Sequence, residues 1–173
     1  MPQDFEHRGG QTMTIHKYLI GFHHPEEENG YLSNRYPSKL TVKGRTYSSM
    51  EQYVMYQKAE CFHDGAIGVT IMETEDPEKI RALGRMVFGY DEHVWNGVRQ
   101  LIVYDGLIAK FTQNEELRMK LKETGTKFIA KCSETDLFWG IGVGLDNPDR
   151  FDTEKWKGQN QLGYALMYVR ERI

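Results

Sequence analysis

The chain has 173 residues, 39% of them hydrophobic, which is one ordinary domain with enough apolar material for a sizeable core. Its net charge of −3 excludes a broad basic field, and with it a sequence-independent nucleic-acid binder. Cys61 and Cys132 are the only cysteines, no Cys-x-x-Cys pair or secretory apolar segment occurs, and no apolar run is long enough to span a bilayer. A reduced, cytoplasmic setting is the expectation.

Residues 1–13 are polar with a Gly9-Gly10 pair and read as a flexible tail; 14–173 read as the domain. Ile15 to Phe22 carries β-branched and aromatic residues and predicts a strand. His23-His24 beside three glutamates is a poor metal site, because neighbours on extended chain point opposite ways. In the turn-rich Tyr31–Ser38 segment, Asn34 either presents its amide to a ligand or closes an Asx turn. Leu40 to Tyr47 predicts a hairpin with Lys43-Gly44 at its tip.

The hairpin leads into the stretch Tyr47 to Ala59, which predicts a helix. Ser48 or Ser49 can cap it, and Ser48 with Glu51 three residues on fits a capping box. Met50, Tyr53, Val54, Gln57 and Cys61 make one face. Glu51, Met55 and Lys58 make a second stripe, with the carboxylate and the ammonium about 10 Å apart along the axis. Glu51 is thus either a cap residue or a group presented to a site, and Lys58 either a solvated charge or a contact.

Gly65 and Gly68 argue against helix over His63–Thr70. Asp76-Pro77-Glu78 starts a helix that runs to about Arg85. Asp91 caps a long segment through Phe111, with Val94, Val98, Leu101, Ile102, Ile108 and Ala109 as the expected core stripe. Trp95 near its start is a packing residue or a stacking platform. Asn114 to Glu123 is a short helix stopped by Gly125, and Lys127 to Cys132 a strand. Gly140-Ile-Gly142-Val-Gly144 lacks the spacing of a dinucleotide fingerprint. Asn160 is the expected cap of a last helix, Gln161 to Arg172, whose Leu162, Ala165, Leu166 and Val169 face the core.

The carboxylates that stand out are Glu51, near a helix start, and Asp136, three residues before Trp139. Acids beside aromatics in a cleft have their ionisation tuned by desolvation and neighbours. A pair of them can activate water and stabilise a developing sugar cation.

The order and spacing of several short motifs resemble the NADAR superfamily, also called YbiA-like, over roughly Tyr18 to Ile173. The matching pieces are Leu32-Ser-Asn34 with Tyr36-Pro-Ser; Gly44-Arg-Thr-Tyr47; Ser49-Met-Glu51-Gln-Tyr53; Gln57-Lys-Ala59; Leu83-Gly-Arg85; Trp95; Ala109-Lys-Phe111 with Gln113-Asn114; and Thr124-Gly125. The distal pieces are Asp136-x-x-Trp139-Gly-Ile-Gly142, Trp156-x-Gly-x-Asn160-x-Leu-Gly163 and Leu166-Met-x-Val-Arg170.

The expected fold is α+β: a helix-dominated single domain with a small antiparallel sheet from the N-terminal strand, the hairpin and the Phe128 strand, as in the family resembled. The resemblance implies an N-glycosidase acting on a ribose phosphate joined to a heterocycle or amine, with early riboflavin-biosynthesis intermediates as the expected substrate. The alternatives it leaves are removal of ADP-ribose from guanine bases of nucleic acid, and a non-catalytic ADP-ribose-binding module. No metal, cofactor or membrane is implied. The family's pocket residues carry over to Glu51 and Asp136 as the catalytic acids and to Trp95 and Trp139. Asn34, Arg35, Tyr47, Lys58, Arg85, Gly140 and Asn160 are further expected substrate contacts. Some de-ADP-ribosylating members carry a lysine just before the Gly-x-x-Ser-Asn segment, where this chain has Asn29. That departure favours direct attack by water over a lysine imine.

Overall fold

A computed structural model describes residues 18–173 of the chain, so the reading of residues 1–13 as a tail, and the first part of the expected Ile15–Phe22 strand, lie outside the described residues. Two small sheets and six α-helices make up the regular structure among the described residues. Strand β1 (Leu19–Phe22) pairs in parallel with β4 (Phe128–Lys131). Strands β2 (Pro37–Val42) and β3 (Arg45–Ser49) form the antiparallel hairpin, with Lys43 and Gly44 both at positive φ as its tight turn requires. The expected single antiparallel sheet is therefore corrected to two separate pairs. Only the hairpin is antiparallel; more than one hundred residues, which include the hairpin and five α-helices, separate β1 from β4, and such a crossover permits a parallel pair.

Helix α1 (Met50–Cys61) opens at Ser49, whose Oγ accepts from the Gln52 N–H at 3.2 Å. Gln52, not Glu51, reaches back: its Oε1 accepts from the Ser48 N–H at 2.7 Å, and its Nε2 donates to the carbonyls of Ile71 and Thr74. The expected Ser48–Glu51 box is thus one residue out of register. The cap is made by the next Ser and the next long polar side chain, and Glu51 is released from capping.

Helix α2 (Gly65–Met72) forms despite its two glycines, because Asp64 caps it and the face bearing Gly68 lies against the Tyr56 ring and Ala59 of α1. Tertiary packing there outweighs weak local propensity. Helix α3 (Pro77–Arg85) begins as expected, with Asp76 accepting from two first-turn N–H groups. It crosses α1 closely at Gly84, where any Cβ would sit 2.1 Å from Met55 Sδ.

Helix α4 (Glu92–Gln113) is capped by Asp91 and runs unbroken past Gly97 and Gly106. Gly106 lies under the Tyr53 ring, closer than a side chain would allow. Its buried residues are Trp95, Val103, Gly106, Leu107, Ala109, Lys110 and Phe111; of the expected stripe Ala109 is buried and Val98, Ile102 and Ile108 pack half-buried against the core, while Val94 and Leu101 face solvent. The correction follows from Gly106 and Lys110, non-apolar residues that pattern counting does not place inside. Helix α5 (Glu115–Glu123) ends where Gly125 takes positive φ.

Helix α6 (Gln161–Arg170) buries Leu162, Leu166 and Val169. It starts at Asn160, but that side chain does not cap. Asn160 sits at φ 53° and turns its amide onto β4 instead, accepting from the Lys131 N–H and donating to the Ile129 carbonyl. No described helix is long and apolar enough to cross a membrane.

Candidate active site

One cavity of about 480 Å³ gathers side chains from α1, α3, β4 and the two loops on either side of β1 and β4. Glu51, Met55 and Lys58, the second stripe of α1, all face it. From α3 come Glu78, Arg81 and Arg85; from the loop after β1, His23, His24, Asn34 and Arg35; from β4 and the loop beyond it, Lys131, Ser133, Thr135, Asp136 and Trp139.

Glu51 is placed by its backbone. Its N–H donates to the Asn34 carbonyl at 2.8 Å, which ties the first turn of α1 to the Ser33-Asn34 segment. Among the described residues its carboxylate has no hydrogen bond or ion pair. Burial pushes that carboxyl above the usual carboxylate range, and the charges of Arg81, Lys131 and Arg35 only partly offset this.

Asp136 is in the opposite condition. Lys131 Nζ donates to its Oδ2 at 2.5 Å, and its Oδ1 accepts from the N–H groups of Trp139 and Phe138 at 2.8 and 3.2 Å. Desolvation raises the carboxyl; the Lys131 charge and hydrogen bond, with the two backbone donors, outweigh it and leave Asp136 below its ordinary value. Lys131 is itself held rigidly, its N–H on Asn160 Oδ1 and its carbonyl on the Ile141 N–H. Arg99, from α4, lies 3.3 Å over the Phe138 ring and steadies the Phe138–Trp139 pair from behind.

Lys58 does not pair with Glu51. Its ammonium donates to the Gly84 carbonyl at 2.7 Å and lies 4.2 Å from the centre of the Tyr90 ring. Desolvation, then repulsion from Arg85, lowers its pKa. Arg35 bonds Glu78 at 2.8 Å and approaches His24 Nδ1 at 3.0 Å. Asn34 lines the cavity, and its Oδ1 is buried without a hydrogen-bond partner among the described residues, so it closes no Asx turn.

Four expected contacts stand elsewhere. Trp95, 6% exposed, packs in the main core, as a large ring on the inward face of α4 must. Tyr47 is buried against Tyr53, and its hydroxyl accepts from Gln57. Gly140 and Asn160 hold the loop by backbone and amide bonds: the Asn160 N–H donates to the Gly140 carbonyl at 2.9 Å. Arg81, Lys131 and the two histidines were not expected at the site. Glu78, Arg81 and Arg85 follow three- and four-residue spacing, so Arg81 was readable from the placement of Arg85 on one helical face. Lys131 had no local signal, since its partner lies across a turn. No group of three or more His, Cys, Asp or Glu among the described residues is arranged to hold a metal ion.

The NADAR domain model matches residues 21–173. The chain belongs to the NADAR family. It is 40% identical to an N-glycosidase of Acanthamoeba polyphaga mimivirus over 125 residues, covering 72% of this chain and 74% of the viral protein. It is 32% identical to a riboflavin biosynthesis protein of Vibrio vulnificus over 154 residues, 89% of this chain but only 38% of that longer one. The solution structure of Escherichia coli YbiA superposes with a TM-score of 0.73 at 29% identity, covering 89% of this chain and 83% of that one. The α+β, helix-dominated architecture is that of this solved neighbour.

Proposed function

We propose that the chain is an N-glycosidase that hydrolyses the bond between a ribose phosphate and a nitrogenous heterocycle or amine. The carrying observation is the pair of carboxylates on one cavity with ionisation driven in opposite directions: Glu51 unpaired and pushed up, Asp136 paired and pushed down. Environments that separate two acids in this way assign one to proton donation and the other to charge stabilisation.

In this reading protonated Glu51 hands its proton to the departing nitrogen as the carbon–nitrogen bond breaks. Anionic Asp136, with the Trp139 face it orients, stabilises the positive sugar carbon. Water adds to that carbon and its surplus proton returns to Glu51. Trp139 stacks the leaving ring. The Asn34 side chain on the cavity wall bonds a sugar hydroxyl, and Arg81, Arg85 and Lys58 hold the phosphate. Lys58 already donates to a carbonyl, so the two arginines carry most of that contact.

The early riboflavin intermediates are the substrates we favour, supported by the name of the Vibrio relative and by the absence of a lysine at Asn29. Removal of ADP-ribose from guanine is the second reading, and binding of ADP-ribose without turnover a third. Ribosylaminopyrimidine phosphates and ADP-ribosylated guanosine assayed side by side separate them. Turnover of the pyrimidine phosphates alone is expected. Turnover of the guanosine alone replaces the first reading with the second, and tight binding with no turnover of either supports the third.

A further inference from the structure

Lys110 is a fully buried lysine, 0% exposed, in the last turns of α4. No carboxylate neutralises it: its amine donates to the Tyr31 carbonyl at 2.6 Å and the Ser33 carbonyl at 3.1 Å, and the nearest rings are Phe111 and Tyr36, centred 5.1 and 5.6 Å away. Burial alone lowers its pKa, to about 7. Burying an amine in an apolar core is costly, and a methionine of similar volume would fill the space without that cost. The two carbonyls explain its presence. They belong to the short turn Gly30–Leu32 and the residue after it, with no strand or helix beyond to bond them. The Ser33 carbonyl also accepts from the Tyr36 N–H, whereas that of Tyr31 has Lys110 as its hydrogen-bond donor.

The next residue, Asn34, does two things for the cavity. Its carbonyl receives the Glu51 N–H, and the residue itself lines the cavity. The chain from Lys110 to the reacting groups is therefore short and continuous: amine, two loop carbonyls, Asn34, first turn of α1.

We propose that Lys110 is a positioning residue for the active site, fixing the Tyr31–Asn34 segment from inside the core so that Asn34 and Glu51 meet the substrate in register. This rests on the reading of the cavity as a ribose-phosphate site. It does not require Lys110 to touch ligand or to change its charge during the reaction. The work is done by two N–H donors aimed at two carbonyls.

Lys110→Met removes the donors and keeps the volume; Lys110→Gln restores two donors on an uncharged amide one atom shorter. Lys110→Met is expected to lower kcat at least tenfold and weaken calorimetric binding of ribose 5-phosphate about tenfold, with cooperative unfolding retained. Lys110→Gln is expected to recover a large part of both. Equal values for the two variants, whether both normal or both impaired, would overturn the proposal, since the donors would then not matter. Should the variants fail to fold, the wild-type protein decides. Binding of ribose 5-phosphate should slow solvent exchange of the Lys110 amine protons, read by nitrogen-15 NMR, although the ligand lies outside the core. Unchanged exchange at saturating ligand would overturn it. The binding and exchange readouts do not depend on turnover: loss of the Glu51 mechanism with those Lys110 effects intact would refute the chemistry and leave the positioning role standing.

Discussion

The two walls of the cavity hold their carboxylates by different means. On the helical wall, Glu51 rides on a first turn in which Ser49 takes the Gln52 N–H and the Asn34 carbonyl takes the Glu51 N–H, while Gln52 reaches back to the Ser48 N–H before the helix, so none of these contacts claims the Glu51 side chain. On the loop wall, Asp136 is the organising centre: one oxygen turns the backbone at Phe138 and Trp139, the other fixes Lys131. A helix supplies its own backbone bonds and leaves a side chain free for chemistry. A loop borrows side chains to hold itself, and the acid it borrows is thereby kept ionised. The same two residue types acquire opposite proton affinities because of which kind of backbone carries them.

Four substitutions break or sharpen this contrast. The largest effect is expected from Glu51→Gln: turnover should fall by roughly 10²-fold or more if the proton comes from that carboxyl. Wild-type turnover would remove Glu51 from the chemistry. The same variant should unfold at a higher temperature near neutral pH. A raised carboxyl favours the folded state at low pH, and that advantage disappears as pH rises through its folded-state pKa; the amide does not ionise.

Asp136→Asn should show the reverse balance, losing stability together with activity. About 2 kcal/mol is a reasonable scale for a partly buried ion pair and loop cap. Because the folded state lowers the Asp136 pKa, its contribution is present above the unfolded carboxylate range and fades as pH falls through the folded value. Melting temperatures from pH 7 down to 3 should therefore decline less steeply in the variant. An unchanged acid slope would mean that Lys131 gives the carboxylate little.

Gly84→Ala tests the close crossing that brings α3 to the cavity. The added Cβ meets Met55, so a loss on the order of 1–2 kcal/mol is expected. Met55→Ala in the same chain should recover part of it, by urea titration. The smallest effect is expected from Arg81→Ala. KM for a phosphorylated substrate should rise severalfold with kcat nearly unchanged, and the difference should vanish for the corresponding unphosphorylated riboside.

The contrast also explains what could be read without coordinates. The α1 stripe of Glu51, Met55 and Lys58 follows from helical periodicity, and all three reach the cavity. The helix starts at Asp76-Pro77 and Asp91 follow from cap chemistry and stand as expected. Periodicity was right only in part on α4: Val98, Ile102, Ile108 and Ala109 pack on the core, but a buried lysine and a glycine occupy positions that apolar counting leaves blank, and Val94 and Leu101 face solvent. It also could not show that β1 finds β4 in parallel, nor that Asn160 would abandon its helix to brace Lys131. The loop wall is written in long-range hydrogen bonds, and only the ordered family motifs hinted that Asp136 and Trp139 belonged with Glu51.

The pairing of β1 with β4 has a consequence for how the protein acquires activity. The hairpin and the α1–α3 cluster are built from near neighbours in the chain, so the Glu51 wall can form quickly. The Asp136 wall hangs on β4, which is aligned only once Leu19 meets Phe128 across a loop of more than one hundred residues, a slow closure. The wall that carries Asp136 thus depends on a long-range strand pairing that the wall carrying Glu51 does not need.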